Sequence, residues 1–144
     1  MVERTVRQII EGQEPITVPC GIIVKDAAQL MRQHNIGALM VVEDGKLCGI
    51  FTERDALFRV LAEGRDPATT VLDSVMTRNP QTISADGAFQ TALQMMHDGR
   101  YRHLPVVDGE QLLGMVSVRD ALGPELEAFV YEMLREEQIQ QVLA

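Results

Sequence analysis

Two stretches of this chain are copies of one another. Leu112-Leu113-Gly114-Met115-Val116-Ser117-Val118-Arg119-Asp120-Ala121-Leu122 repeats Leu47-Cys48-Gly49-Ile50-Phe51-Thr52-Glu53-Arg54-Asp55-Ala56-Leu57 at an offset of 65 positions. The same offset, with no gap, aligns identical pairs from Thr5/Thr70 and Val6/Val71, through Pro15/Pro80, Thr17/Thr82, Ala27/Ala92 and Met31/Met96, to Val41/Val106 and Val42/Val107. A register kept over a whole unit is the mark of a duplication, so the chain must fold as two like halves.

Each unit reads the same way. Short helical leads at Thr5 to Ile10 and Thr70 to Met76 end before Pro15 and Pro80, which force extended backbone. Ile16 to Val18 and Gln81 to Ile83 are short strands. Helices follow over Asp26 to His34 and Ala88 to Asp98; Ala27, Leu30 and Met31 mark the buried face of the first, and Ala92, Met95 and Met96 that of the second. Asp86 offers an N-cap and Gly99 a C-terminal stop. The spacing then predicts a hairpin, Ala38 to Glu43 against Lys46 to Phe51, turned by Asp44-Gly45. In the second copy Asp108-Gly109 lies one position earlier, so that turn differs. The strands are almost continuously apolar, which means burial on both faces. Thr52 and Ser117 open a second helix as N-caps; the first runs to Gly64, and Gly123-Pro124 interrupts the second early.

The expected class is therefore α+β: two β-α-β-β-α repeats, 5–64 and 70–123, packed sheet to sheet about a pseudo-two-fold axis with helices outside. Such packing leaves two related clefts between the units. The segment 124–144 is extra. Leu126, Phe129, Val130, Met133 and Leu134 recur there at helical steps, so it is an amphipathic helix that covers its own domain or bridges a dimer.

Composition bounds the function. Net charge is −8, which argues against a nucleic-acid or anionic-membrane binder but leaves a small anionic ligand open. No apolar run approaches the roughly 20 residues of a membrane span, and Met1-Val2-Glu3-Arg4-Thr5 lacks a signal-peptide core. Cys20 and Cys48 have no metal spacing and read as reduced thiols of a cytoplasmic protein. No nucleophile elbow, phosphate-binding Gly loop or metal set is present, so the chain is not expected to be an enzyme.

Two motifs could carry chemistry. In Ser117-Val118-Arg119-Asp120 and its copy Thr52-Glu53-Arg54-Asp55, a strand delivers a helix start whose free N–H groups suit an anion. A carboxylate three residues on matches the two hydroxyls of a ribose. The alternative is a plain capping box, in which the acid only closes the helix start. In Arg100-Tyr101-Arg102-His103-Leu104-Pro105, cations gather in an acidic chain as a phosphate or carboxylate site, or else as a solvated loop. The first copy, Asn35-Ile36-Gly37-Ala38-Leu39-Met40, has no such charge.

Taken together, Pro15-Ile16-Thr17-Val18, Pro80-Gln81-Thr82-Ile83, the strand Arg102 to Val107 and the two Gly-to-Asp segments resemble a tandem pair of cystathionine-β-synthase (CBS) domains, or Bateman module, of the stand-alone bacterial type. The resemblance runs from about Thr5 to Leu122. It implies a non-catalytic regulatory module that binds an adenosine-containing ligand (AMP, ADP, ATP, NAD or S-adenosylmethionine) between the repeats, with no cofactor required. By position, Asp120 and Asp55 would hold ribose hydroxyls, and Ser117 and Thr52 ribose or phosphate. Thr82, Ile83, Thr17 and Val18 would face adenine. Arg102, His103 and Arg119 would face phosphates beside Pro105 in the second site. The first site would comprise Ala38, Met40 and Arg54 with Thr17, Val18, Thr52 and Asp55; there Met40 stands in place of the Pro. The resemblance also implies a homodimer and a regulated protein partner. A ligand-free interaction module, working through the dimer and the C-terminal helix, is the alternative.

Overall fold

The two expected hairpins are the centre of each half. The structure, a computed structural model, describes residues 3–143. Met1 and Val2 of the stretch read for a signal peptide, and Ala144 at the end of the expected tail helix, lie outside the described residues. The first half comprises α1 (Val6–Ile10), β1 (Thr17–Val18), α2 (Val24–His34), β2 (Ala38–Glu43), β3 (Lys46–Thr52) and α3 (Glu53–Asp55), which continues as a π-helical stretch over Ala56–Leu61. A 3-10 turn, Leu72–Ser74, leads to β4 (Thr77–Arg78), β5 (Ile83–Ser84), α4 (Phe89–Gly99), β6 (His103–Asp108) and β7 (Gln111–Ser117). After a second 3-10 turn, Val118–Asp120, comes α5 (Gly123–Leu143).

The strands form two sheets, ordered β1-β2-β3-β4 and β5-β6-β7. In each, a short strand pairs parallel to the first hairpin strand: Thr17 opposes Met40, and Ile83 opposes Val106. The repeat register survives in detail, since Met40↔Ile50 in one hairpin matches Pro105↔Met115 in the other. Ala38 to Val41 are all buried, as their unbroken apolar run implies. The turns differ as the sequence expects. Asp44 and Gly45 both have positive φ, which suits a type I′ turn, whereas in the second turn only Gly109 does.

The leads cross over. α1, from the first repeat, buries Val6 and Ile10 among Ile83, Phe89, Met96, Leu104 and Val116 of the second. Leu72, Val75 and Met76, from the second, complete the core of Val18, Val24, Met31, Leu39, Val41 and Phe51. β4 extends the first sheet by pairing Arg78 with Gly49. At the matching edge of the second sheet the Gln13 side chain imitates a peptide: its Oε1 accepts from the Met115 N–H (3.2 Å) and its Nε2 donates to the Met115 carbonyl (3.1 Å). Gly49 and Gly114 give these edges room, because a Cβ would crowd Met76 at the first and Gln13 and Ile10 at the second and force those side chains to shift.

The same crossing explains where the helix ends depart from expectation. Asp86 does not cap α4. The Phe89 N–H instead donates to the Arg4 carbonyl at 2.9 Å, and in α2 the Val24 N–H donates to Thr70 at 2.9 Å. The crossing backbone thus satisfies the orphan donors that a side-chain cap would otherwise serve. Gly99 is not the left-handed stop either. Arg100 takes that conformation at φ 58°, and Gly99 stays bare because a Cβ would collide with the Tyr101 ring. In the second half the closing helix is reduced to one 3-10 turn, since Ala121 is extended (ψ 130°) and Pro124 starts a new helix.

α5 lies on α4 by one edge of its stripe. Phe129 meets His97 edge-on at 5.8 Å, and Arg4 grips Glu125 with the Nε and Nη2 donors of one guanidinium edge while resting over Phe89 at 5.6 Å. Leu126, Val130 and Leu134 remain 42%, 48% and 55% exposed. The tail helix therefore covers its own domain in part and leaves an apolar strip outward.

Candidate functional site

Both hydroxyl-x-x-Asp motifs form the capping boxes that the sequence allows. The Thr52 N–H donates to Asp55 Oδ2 (2.9 Å), and the Asp55 N–H to Thr52 Oγ1 (3.2 Å). The Ser117 N–H donates to Asp120 Oδ2 at 2.7 Å. Capping occupies only part of each carboxylate. Asp55 is the one buried charged residue among those described, at 8% exposure, and its Oδ1 faces Arg59 Nε at 3.5 Å. Arg59 in turn donates to the Met76 carbonyl at 2.9 Å, so Asp55 is anchored to the crossing lead as well as to its own strand.

A cavity of about 810 Å³ opens between the repeats beside Asp55. Thr52, Arg54 and Asp55 form its first-repeat wall, and Arg100, Arg102 and His103 its second-repeat wall. Leu57 and Phe58 supply an apolar side, and Arg54 lies over the Phe58 ring at 5.9 Å. Another side comes from Thr77, Asn79, Pro80 and Gln81, which follow the crossing lead, and there Gln81 accepts a hydrogen bond from the Tyr101 hydroxyl. A second cavity, of about 590 Å³, is lined by Ser117 and Arg119 together with Asn35, Ile36 and Arg32 of the first repeat. Arg102, His103 and Glu53 line both cavities.

The structure thus joins Thr52, Arg54 and Asp55 to Arg102 and His103, although the sequence reading divides them between two sites. Ser117 and Arg119 share the second cavity with Arg102 and His103. Thr17, Val18, Thr82, Ile83, Ala38, Met40, Pro105 and Asp120 line neither. Val18 and Ile83 are core residues, and Ala38, Met40 and Pro105 are buried in β2 and β6. Asp120 lies beside α5, where its carbonyl accepts from Arg4 at 2.8 Å.

Burial lowers the pKa of His103, Glu53 opposes the shift, and Arg102 reinforces it, so the ring is neutral at pH 7. A folded-state pKa below the unfolded value of about 6.5 means that the neutral ring's burial stabilises the fold above that pH. The contribution is lost as pH falls through 6.5 toward the folded value.

Gln81, Tyr101, Glu53, Leu57 and Phe58 are wall residues that the sequence reading does not place. Tyr101 had a signal, since it stands inside the Arg100-to-His103 run. Glu53 had one too, since it stands inside Thr52-Glu53-Arg54-Asp55, whereas Leu57 and Phe58 enter through the π-helical turn and Gln81 through the path of the chain after the crossing lead, neither of which leaves a period in the sequence.

Known proteins resemble the chain throughout this architecture. The family profile for the CBS domain matches residues 6–62 and 72–124. The mitochondrial CBS domain-containing protein CBSX3 of Arabidopsis thaliana is 39% identical over 69% of this chain, which spans 50% of that relative. The CBS domain-containing protein YhcV of Bacillus subtilis is 39% identical, with 72% of this chain and 74% of that one covered. Among solved structures, the CBS domain pair of protein MJ0100, in complex with 5-methylthioadenosine and S-adenosyl-L-methionine, superposes with a TM-score of 0.75 at 30% identity, over 83% of this chain and 93% of that one. No helix among the described residues is long and apolar enough to cross a membrane. Profile, relatives and fold agree that this chain belongs to the CBS domain family, as a tandem CBS pair, a regulatory module.

Proposed function

We propose that this pair is a cytoplasmic, non-catalytic sensor that binds a phosphorylated adenosine ligand in the larger inter-repeat cavity and passes its occupancy to a protein partner. The observation that carries the reading is the convergence of the buried Asp55 with Arg54, Arg100 and Arg102 around about 810 Å³ of open space in a chain of net charge −8. That volume lies within the range of small-molecule sites. Asp55 offers the acceptor a ribose needs, Leu57 and Phe58 an apolar face for a base, and the arginines a place for phosphate. The adenosine compounds bound by the MJ0100 pair support the base and ribose portion of this reading. The cluster of arginines favours an anionic nucleotide such as AMP, ADP or ATP over the cationic S-adenosylmethionine.

A thermal-shift panel of AMP, ADP, ATP, NAD, S-adenosylmethionine and GTP tests it, because a ligand that prefers the folded state raises Tm by mass action. An adenine nucleotide should raise Tm in the wild type and fail to do so in Asp55→Ala, judged against each protein's own ligand-free Tm. No shift with any adenosine compound at millimolar concentration would end the reading.

The ring of His103 makes a separate prediction. A phosphate beside it favours the charged imidazole, so binding should take up a proton and tighten as pH falls from 8 to 6. Calorimetry in two buffers of different ionisation enthalpy should detect proton uptake in the wild type at pH 6.5 and less in His103→Gln. Equal uptake in both would remove His103 from the phosphate end.

A second reading, an interaction module that acts without ligand, is favoured by the outward strip of Leu126, Val130 and Leu134. We also read the chain as a homodimer that meets its partner across the same strip, since an exposed apolar row of this kind marks an interaction face. Light scattering of wild type and of a Leu126→Gln, Val130→Gln, Leu134→Gln triple variant separates the two. Loss of the oligomer and no nucleotide shift in either protein would favour the interaction module.

A further inference from the structure

The two cavities are not separate compartments. The 65-residue offset pairs Arg102 with Gly37 and His103 with Ala38. One repeat therefore brings a guanidinium and an imidazole to the pseudo-two-fold axis, and the other brings almost nothing. The space over Gly37 is filled from both sides: a Cβ there would lie 3.3 Å from the Glu53 carboxyl carbon and 3.4 Å from His103 Cε1. The strand ends are tied at the same point, with the Glu53 N–H donating to the Gly37 carbonyl (2.9 Å) and the Val118 N–H to the Arg102 carbonyl (3.2 Å). Glu53, Arg102 and His103 thus form a common wall. Each cavity keeps cations of its own, Arg54 and Arg100 in the larger and Arg32 and Arg119 in the smaller.

A guanidinium that turns its bidentate fork to a phosphate in one cavity has fewer donors and less uncompensated charge left for a phosphate in the other. When an anion in one cavity draws Arg102, the other cavity faces the Glu53 carboxylate with less compensating charge, and it also faces the negative charge of the first ligand. Resting on the nucleotide reading above, we propose that the two cavities are antagonistic: a phosphorylated ligand in either one weakens the binding of a second in the other. In operation, the module would fill one cleft first, along an ordinary single-site curve, and its second cleft only at much higher concentrations. A coupling of at least about tenfold is expected, within the ordinary range for linked sites. Reciprocity requires the same factor in both directions.

Titration calorimetry with ADP tests this. Intrinsic difference between the cavities is separated from coupling by blocking the larger one, with Asp55→Ala to remove the ribose acceptor and, independently, Leu57→Trp to fill the cavity from its exposed wall. The expected result is that the smaller cavity binds ADP at least about tenfold more tightly in both variants than it does as the second phase in the wild type. Glu53→Gln should narrow the gap between the two wild-type phases. Identical affinity of the smaller cavity whether or not the larger is blocked would overturn the proposal. So would two equal sites in the wild type, or one site in the wild type with none in either variant. An absence of any ADP binding to the wild type would instead remove the nucleotide reading itself, and this inference with it.

Discussion

Phe89→Ala is expected to destabilise the protein by about 3–5 kcal/mol, the usual loss for a buried Phe truncated in a core that cannot collapse around the gap. Phe89 is 1% exposed and opens α4 where the crossing lead arrives. Its ring packs with the cluster that includes Val6 and Ile10, and the Arg4 guanidinium covers its outer face. The substitution removes a core side chain and the platform on which Arg4 holds Glu125 of α5. Against a total stability of about 5–15 kcal/mol, that is a large share. Because α1 lies in the second core and Leu72, Val75 and Met76 in the first, neither half is complete alone. Urea unfolding followed by circular dichroism should therefore remain a single transition with a lower midpoint. Two transitions, with the first half unaffected, would contradict the crossing of the leads.

The second large effect concerns binding. Arg102→Ala should weaken ADP by about ten- to a hundredfold while leaving adenosine nearly unchanged. A charge-assisted hydrogen bond to phosphate contributes roughly 1.5–3 kcal/mol, and each 1.4 kcal/mol is tenfold in affinity. Arg102 is exposed at the head of β6, so its removal opens no cavity in the core and stability should move little. Parallel titrations of ADP and adenosine read the difference directly. An equal loss for both ligands would mean that Arg102 shapes the cavity and does not hold phosphate.

The duplication carries most of what could be read in advance. A constant offset fixed the number of units, and the apolar runs with their Asp-Gly turns fixed two hairpins at the right residues. The capping boxes at Thr52 and Ser117 follow from local spacing alone. The crossing of the leads is a different matter. A helix such as Val6–Ile10 carries the same buried face, Val6 with Ile10, whichever core receives it, and two nearly identical cores present the same receptor. Pattern within one unit cannot choose between them. The composition of the cavities depends on that choice, which is why Arg102 and His103 stand opposite Asp55 and why Gln81 enters the wall. Gly99 shows the same limit on a smaller scale. A glycine at the end of a helix signals a left-handed stop by its own conformational freedom, but here the reason is the room that Tyr101 needs two residues on.

The central claim is that the larger cavity holds a phosphorylated adenosine ligand between the repeats. A crystal structure grown with ADP tests it most directly. The account predicts ribose hydroxyls within hydrogen-bond distance of Asp55, the base against Leu57 and Phe58, and phosphate oxygens at Arg102. Clear density for ADP elsewhere on the molecule, with this cavity holding only water, would contradict it.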